Sequence, residues 1–281
     1  MSAWTTLVDA ETLAASLDRS DLRIFDCRAV LTDHAAGEAA WRAGHLPGAL
    51  HADLERDLSG PRAAGAGRHP WPSAEAFAAW LGRVGLKPTD QVVAYDGGEG
   101  AYAAHLWWQL RAFGHANVAV LDGGVARWTA LGLPIETTVP TFAPTTYVGG
   151  FDVTRLLDGD AVASALADGV LLIDARGAER FRGEVEPIDP VAGHVPGAVN
   201  RPFPSNLADG RFKPAAQLRE EFATLLGAHP PSRVVAMCGS GVTACHHLLA
   251  MTLAGLDGAR LYTGSWSGWI DGGHRPVATG G

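Results

Sequence analysis

The chain of 281 residues contains two copies of one sequence pattern, so it is expected to fold as two similar units. The segment 22–28 (LRIFDCR) recurs at 171–176 (LLIDAR), and the segment 44–49 (GHLPGA) recurs at 193–198 (GHVPGA). Two later pairs recur at a slightly shorter spacing: 92–98 with 234–240, and 123–128 with 264–269. The first copy is therefore longer by about seven residues, which we place in a Gly- and Ala-rich surface loop at Gly60–Gly67.

The repeat predicts the domain boundaries. We expect an N-terminal domain over 1–135, a linker over 136–150 and a C-terminal domain over 151–281. The linker region is rich in Pro, Thr and Gly and lacks a helical period, as interdomain linkers do. With 47% hydrophobic residues, a chain of this length can bury two cores of ordinary size.

Short apolar runs alternate with amphipathic windows in both copies. Strands are predicted at 22–26, 91–95 and 116–121, with equivalents in the second half. Between the first two, Ser73 can cap a helix that carries apolar residues at helical spacing: Phe77, Trp80, Leu81 and Val84. This alternation predicts an α/β fold, with a mostly parallel sheet covered by helices on both faces in each domain. Such sheets bind ligands at the carboxyl ends of their strands.

Charge and cysteine content narrow the classes of partner. The net charge is −8 without long charged runs, which argues against nucleic acid or a membrane surface as a partner. Three cysteines are too few for a disulfide framework, and we find neither a signal peptide nor a segment of transmembrane length. We therefore expect a cytoplasmic protein whose thiols stay reduced.

One of these cysteines ends an apolar run. Residues 234–237 (VVAM) predict a strand, Cys238 follows it, and the stretch 239–244 leads into a helix. A cysteine at that junction faces unpaired backbone N–H groups and the positive end of the helix dipole, which favour a thiolate. A cysteine alone is more often a small buried residue, so the reading depends on the residues around it. The predicted cradle consists of Gly239, Ser240, Gly241, Val242, Thr243 and Ala244.

Together these motifs resemble the rhodanese family, and specifically its two-domain sulfurtransferases, over essentially the whole chain. The shared features are D-x-R after a strand, G-H-x-P-G-A in both halves, and C-G-S-G-V-T-A opening a helix. The resemblance implies two tandem rhodanese-like domains, of which the first is catalytically inactive. Asp96 occupies its position equivalent to Cys238 and cannot carry sulfur.

The resemblance also implies the chemistry. Cys238 would take a sulfur atom from 3-mercaptopyruvate or thiosulfate, hold it as a persulfide, and pass it to a thiophile such as cyanide or a thiol in a ping-pong mechanism. No metal or organic cofactor is needed, and the partners are a small-molecule donor and acceptor. The alternative is a module that relays persulfide sulfur to a thiol of a partner protein.

Substrate-binding residues follow from the same resemblance. The family places an anion-binding arginine near Arg180, with Arg182 as a second candidate, and its mercaptopyruvate branch uses the loop serine, here Ser240, with a histidine, here His69. That branch also has an E-P-R triplet, where this chain has Ile188, and an acid that falls here at Gly60. The loop therefore favours 3-mercaptopyruvate, although two of the expected contacts are missing.

Several other residues are predicted to be structural. Asp174 and Arg176 should pair at a strand end. His45 and His194 occupy equivalent positions in the two copies, one of which lacks a nucleophile, so both are expected to form structural hydrogen bonds. Cys245 is interpreted as a small buried residue, with a resolving thiol as the alternative. A cysteine phosphatase is disfavoured because Ala244 stands where its phosphate-binding arginine would be.

Overall fold

A computed structural model of the chain describes residues 3–281, whose contacts divide them into two compact units. Unit 1 contains the described residues up to Gly60, together with Pro72–Asp152 and Asp209–Phe212. Unit 2 contains Pro61–Trp71, Val153–Ala208 and Lys213–Gly281. Each unit is built on one five-stranded sheet.

Unit 1 alternates strands and helices along the chain. Its elements are β1 (Leu7–Val8), α1 (Ala10–Ala14), β2 (Leu22–Asp26), α2 (Ala36–Ala43), β3 (Ala49–His51), α3 (Ala74–Arg83), β4 (Gln91–Tyr95), α4 (Ala101–Ala112), β5 (Val118–Leu121) and α5 (Gly124–Ala130). The strand order is β1-β5-β4-β2-β3, and all neighbours are parallel. Ile24 of β2 pairs with Val93 of β4, and both are buried in the core against Trp128.

Unit 2 repeats this arrangement. Its elements are β6 (Leu156–Leu157), α6 (Gly159–Ala167), β7 (Leu171–Asp174), α7 (Ala178–Arg182), β8 (Val199–Asn200), β9 (Leu207–Ala208), α8 (Ala215–Leu226), β11 (Val234–Met237), α9 (Ala244–Leu253), β12 (Arg260–Tyr262) and α10 (Ser265–Trp269), with 3-10 turns at Val153–Arg155, Phe203–Asn206 and Pro231–Arg233. The order β6-β12-β11-β7-β8 is again parallel and places β11 in the centre. The short strand β10 (Arg211–Phe212) counts with unit 1, where Arg211 Nε and the Phe212 N–H each donate to the carboxylate of Asp122 at 2.9 Å.

The predicted α/β class with parallel sheets is confirmed. Strands β2 and β4 have the predicted bounds, and β5 begins at Val118, two residues later than expected. Ser73 caps α3, because its hydroxyl accepts the N–H of Ala76 at 3.1 Å. In residues 3–281, no helix has the length and apolar character needed to cross a membrane.

The division into units differs from the continuous domains predicted from the repeat. The expected surface loop of the first domain, Gly60–Gly67, lies almost entirely within Pro61–Trp71, and this segment belongs to unit 2. Gly67 allows this segment to pack closely against Gly264 of unit 2. Its φ is +81°, and a side-chain carbon there would lie 2.4 Å from the carbonyl oxygen of Gly264. The Gly65 N–H adds a bond of 2.6 Å to Asp271. The expected linker, 136–150, contains no helix or strand and counts with unit 1.

Candidate active site

Cys238 directly follows β11, the central strand of unit 2, and is 1% exposed. Its backbone is held by the start of α10. The Cys238 N–H donates to the hydroxyl of Ser265 at 3.1 Å, and its carbonyl accepts the N–H of Trp266 at 3.0 Å. The next carbonyl, of Gly239, accepts the N–H of Ser267 at 2.9 Å. These bonds fix the backbone around the sulfur.

The loop 239–244 connects Cys238 to the N-terminal end of α9. In the described part of the chain, no protein atom accepts a hydrogen bond from the backbone N–H groups of residues 239–244. Gly241 has φ +84°, and a side-chain carbon there would lie 2.5 Å from the Thr263 carbonyl oxygen, so this turn requires glycine. Thr243 precedes the helix, although its hydroxyl makes no capping bond. A set of unbonded donors at a helix N-terminus can stabilise a negatively charged sulfur.

Two of the predicted site residues contact each other beside this loop. The hydroxyl of Ser240 and Nδ1 of His69 are 2.7 Å apart and hydrogen-bonded. Both residues are 5% exposed. His69 lies in the segment Pro61–Trp71 and reaches Ser240 across 171 positions of sequence within unit 2.

Arg180 is placed near the loop. Its two Nη atoms lie 3.7 Å from the position that a Cβ of Gly239 would take. It forms ion pairs with Glu186 at 2.7 Å and with Asp189 at 3.1 Å. Arg182 instead forms an ion pair with Glu184 at 2.7 Å, and its side chain is 35% exposed. The structure therefore brings Arg180, but not Arg182, next to the residue after Cys238.

Two further residues at this site were not singled out from the sequence. Nη2 of Arg68 lies 3.0 Å from the position that a Cβ of Gly239 would take, and the guanidinium group forms an ion pair with Asp189. Nothing in its Gly- and Ala-rich surroundings signals a role. Ser265, which holds the Cys238 N–H, has φ +49°, a conformation uncommon for a residue other than glycine. The repeat carried a signal for it, because Ser265 aligns with Gly124 of the first copy.

The residues predicted to be structural make structural contacts. Arg176 and Asp174 form an ion pair of 2.7 Å with both side chains buried, and the guanidinium lies 4.6 Å from the ring centre of Trp266. The Nδ1 atoms of His45 and His194 are hydrogen-bonded to backbone carbonyls at 2.8 Å and 2.7 Å. These predictions are confirmed.

The helix after the loop carries Cys245 and two histidines. Burial raises the pKa of the Cys245 thiol well above its ordinary value, and the nearby Cys238 raises it further. The Nδ1 atoms of His246 and His247 accept from the single amide nitrogen of Asn206 at 3.0 Å and 2.9 Å, and Nε2 of His247 donates to the Arg201 carbonyl at 2.7 Å. Burial lowers the pKa of His247 to about 4, so this ring is neutral near pH 7.

The equivalent junction in unit 1 holds Asp96, directly after β4. Its carboxylate accepts four backbone N–H groups, from Gly98 at 3.0 Å, Gly100 and Tyr102 at 2.9 Å, and Ala103 at 3.3 Å. Four N–H groups after Asp96, which we call the cradle of unit 1, are therefore bonded to a side chain of the same chain.

Comparison with known proteins agrees with this geometry. The sequence model described as "Rhodanese-like domain" matches residues 9–131 and 158–271. A Pseudomonas aeruginosa protein named "Probable 3-mercaptopyruvate sulfurtransferase" is 49% identical over 98% of each chain, and the chicken thiosulfate sulfurtransferase is 31% identical over 93% of this chain and 90% of its own. The crystal structure of SseA from Escherichia coli, whose description refers to the rhodanese fold and to 3-mercaptopyruvate sulfotransferases, superposes with a TM-score of 0.79 at 30% identity, over 94% of this chain and 100% of that one. The chain therefore belongs to the rhodanese family, as a sulfurtransferase with two rhodanese-like domains.

Proposed function

We propose that this enzyme transfers sulfur from 3-mercaptopyruvate to a thiophilic acceptor through a persulfide on Cys238. The observation that carries the proposal is the position of Cys238: a buried sulfur after a central strand, followed by six backbone N–H groups that no described protein atom accepts. A persulfide anion needs such donors, because an unpaired charge in a buried place is costly.

The reaction divides into two steps. The Cys238 thiolate attacks the donor sulfur, the bond between that sulfur and carbon breaks, and the electron pair passes to the carbon. The resulting enolate takes up the proton of the donor thiol and leaves as pyruvate, while Cys238 keeps the sulfur as a persulfide anion. In the second step, cyanide attacks the outer sulfur, thiocyanate leaves and the thiolate is regenerated. Each step conserves the charge of its reactants.

The loop favours 3-mercaptopyruvate over thiosulfate as the donor. Its residues 239–244 are small or uncharged, and Ser240, hydrogen-bonded to His69, supplies a polar group for a carbonyl or carboxylate oxygen. The 49% identical relative carries the mercaptopyruvate name. A thiosulfate dianion would bind more strongly to a loop that itself carried additional positive charge.

The test measures thiocyanate formation with 3-mercaptopyruvate and with thiosulfate side by side and compares kcat/KM. We expect at least a tenfold preference for 3-mercaptopyruvate. Incubation with that donor alone should add one sulfur atom to the protein, detected as a mass increase, and the added mass should map to the peptide that contains Cys238. A preference for thiosulfate would contradict the proposed donor.

The matched variant is Cys238→Ser, which keeps the size of the side chain and removes the reactive sulfur. We expect no thiocyanate and no added mass, with an unchanged thermal unfolding midpoint. Turnover in this variant would overturn the persulfide mechanism. If the wild type forms the persulfide but transfers sulfur neither to cyanide nor to small thiols, the alternative of relay to a protein thiol is favoured.

A further inference from the structure

We infer that Arg68, together with Arg180, binds the carboxylate of the sulfur donor and so supplies the second guanidinium that position 188 lacks. The inference rests on the proposed function and names a specificity residue for it. It starts from one observation, that two guanidinium groups from distant segments approach the residue directly after the nucleophile.

Both guanidinium groups lie beside Gly239. A Cβ on this residue would be 3.0 Å from Nη2 of Arg68 and 3.7 Å from Nη1 and Nη2 of Arg180. Because Gly239 has no side chain, the guanidinium group of Arg68 can approach the loop backbone closely, where a Cβ would crowd it. An anionic group bound to these two cations would lie beside the residue that follows Cys238.

Asp189 orients the two arginines without using all their donors. Its two carboxylate oxygens bind Arg68 Nη1 and Arg180 Nη2, and Glu186 binds Nε and Nη2 of Arg180. Within the described residues, Arg68 Nη2 and Arg180 Nη1 donate to no protein acceptor. These two nitrogens are also among the atoms nearest to Gly239. The acidic side chain therefore fixes the pair while one N–H group of each arginine remains available to a ligand.

The arginine pair is accessible and held in place. The side chains of Arg68 and Arg180 are 22% and 19% exposed, whereas that of Asp189 is 3% exposed. The Arg68 N–H donates to the Ser267 hydroxyl at 3.0 Å, and Gly67 before it fits closely against Gly264. Arg68 and Asp189 also line an open cavity of about 770 Å³ in unit 2, together with Ile188 and Ser267.

Residue 188 cannot supply the second cation for the donor carboxylate. Ile188 is apolar and 42% exposed, and its N–H is bonded to Glu186 at 3.1 Å. The preceding segment thus contributes one arginine, Arg180, and the second cation comes from 112 positions earlier in the chain. A planar carboxylate can accept from two guanidinium groups at once, which suits a 2-oxo acid that carries its sulfur on the neighbouring carbon.

The experiment compares the wild type with Arg68→Met and Arg68→Lys. We expect Arg68→Met to raise KM for 3-mercaptopyruvate at least tenfold with less than a threefold change in kcat, because binding is lost while the nucleophile and its cradle remain. Inhibition by pyruvate, which keeps the carboxylate but has no transferable sulfur, should weaken by a similar factor. Arg68→Lys keeps the charge and should fall between the two.

The control is Arg233→Met, which removes an exposed arginine of unit 2 from the 3-10 turn before β11 and should leave both constants within twofold of the wild type. If Arg68→Met has the wild-type KM and pyruvate inhibition, or lowers kcat alone, the inference is overturned. If Arg68→Met does not fold, Arg68→Lys and pyruvate inhibition decide in the same way. A wild type that forms neither thiocyanate nor persulfide would instead refute the proposed function, so the two failures are distinguishable.

Discussion

The cradles of the two units differ in what their backbone N–H groups bind. In unit 1 the carboxylate of Asp96 accepts four of them, and in unit 2 the equivalent residue, Cys238, leaves the loop donors without a described protein acceptor. The sheets have the same strand order, and both residues follow the central strand. The same backbone arrangement is therefore filled by a carboxylate of the chain in unit 1, and in unit 2 we propose that it binds the persulfide anion.

The backbone around the two positions is held in the same way. The Asp96 carbonyl accepts the N–H of Val125 at 2.9 Å, and the Cys238 carbonyl accepts that of Trp266 at 3.0 Å. The preceding residues, Gly124 and Ser265, have φ of +53° and +49°. Unit 2 alone adds a hydroxyl there, which accepts the N–H of Cys238. The conformation is thus a property of the fold, and unit 2 uses a strained serine where glycine would suffice.

The largest effect is expected from making the second cradle resemble the first. Cys238→Asp places a carboxylate among the loop donors and removes the sulfur nucleophile, so thiocyanate formation should fall by at least about 10⁴-fold. The thermal unfolding midpoint should equal or exceed that of the wild type, because the donors gain an internal acceptor. An unfolded variant would show that the two cradles are not equivalent.

The converse change concerns stability. Asp96→Ala leaves four backbone N–H groups without their carboxylate and removes negative charge from the start of α4, so we expect a loss of about 2–4 kcal/mol in the free energy of unfolding. Urea unfolding measures it. Asp18→Ala removes an exposed carboxylate elsewhere in unit 1 and should cost less than about 0.5 kcal/mol. Equal losses in the two variants would contradict the filled-cradle description.

A third prediction concerns a buried histidine of unit 2 and its effect on stability at low pH. His247 in α9 aligns with His105 in α4, and burial lowers the pKa of His247 from 6.5 to about 4. Between these values the unfolded chain binds a proton that the folded state does not, so stability falls as the pH decreases from 6.5 to 4, by up to roughly 3 kcal/mol. His247→Gln should lose less stability over this range than the wild type.

The control for that measurement is His34→Gln, at an exposed histidine. It should follow the wild-type curve of unfolding free energy against pH. Parallel curves for His247→Gln and the wild type would show that His247 does not contribute to the acid sensitivity.

The parts of the site that depend on neighbouring residues could be predicted from the sequence. The strand before Cys238, the glycine turn and the helix after it form a local pattern, and backbone sterics decide its conformation. The structural pairing of Asp174 with Arg176 is likewise a contact between near neighbours. The repeat then extended these local readings to the whole α/β fold.

Contacts between distant segments could not be predicted in this way. Arg68 and His69 lie in a stretch without periodicity, and their partners, Asp189 and Ser240, are 121 and 171 positions away. The packing of Gly65 and Gly67 against the start of α10, together with hydrogen bonds and an ion pair to distant residues, holds this segment in unit 2. The resemblance pointed to His69, whereas no comparable motif pointed to Arg68.

The position of Pro61–Trp71 bears on how the gene can be divided. The segment lies in the first copy of the repeat, yet it belongs to unit 2 and brings His69 to Ser240. A gene fragment for 151–281 would therefore specify Cys238 without Arg68 and His69. The proposed nucleophile and these two neighbours can be inherited together only when both copies of the repeat are inherited together.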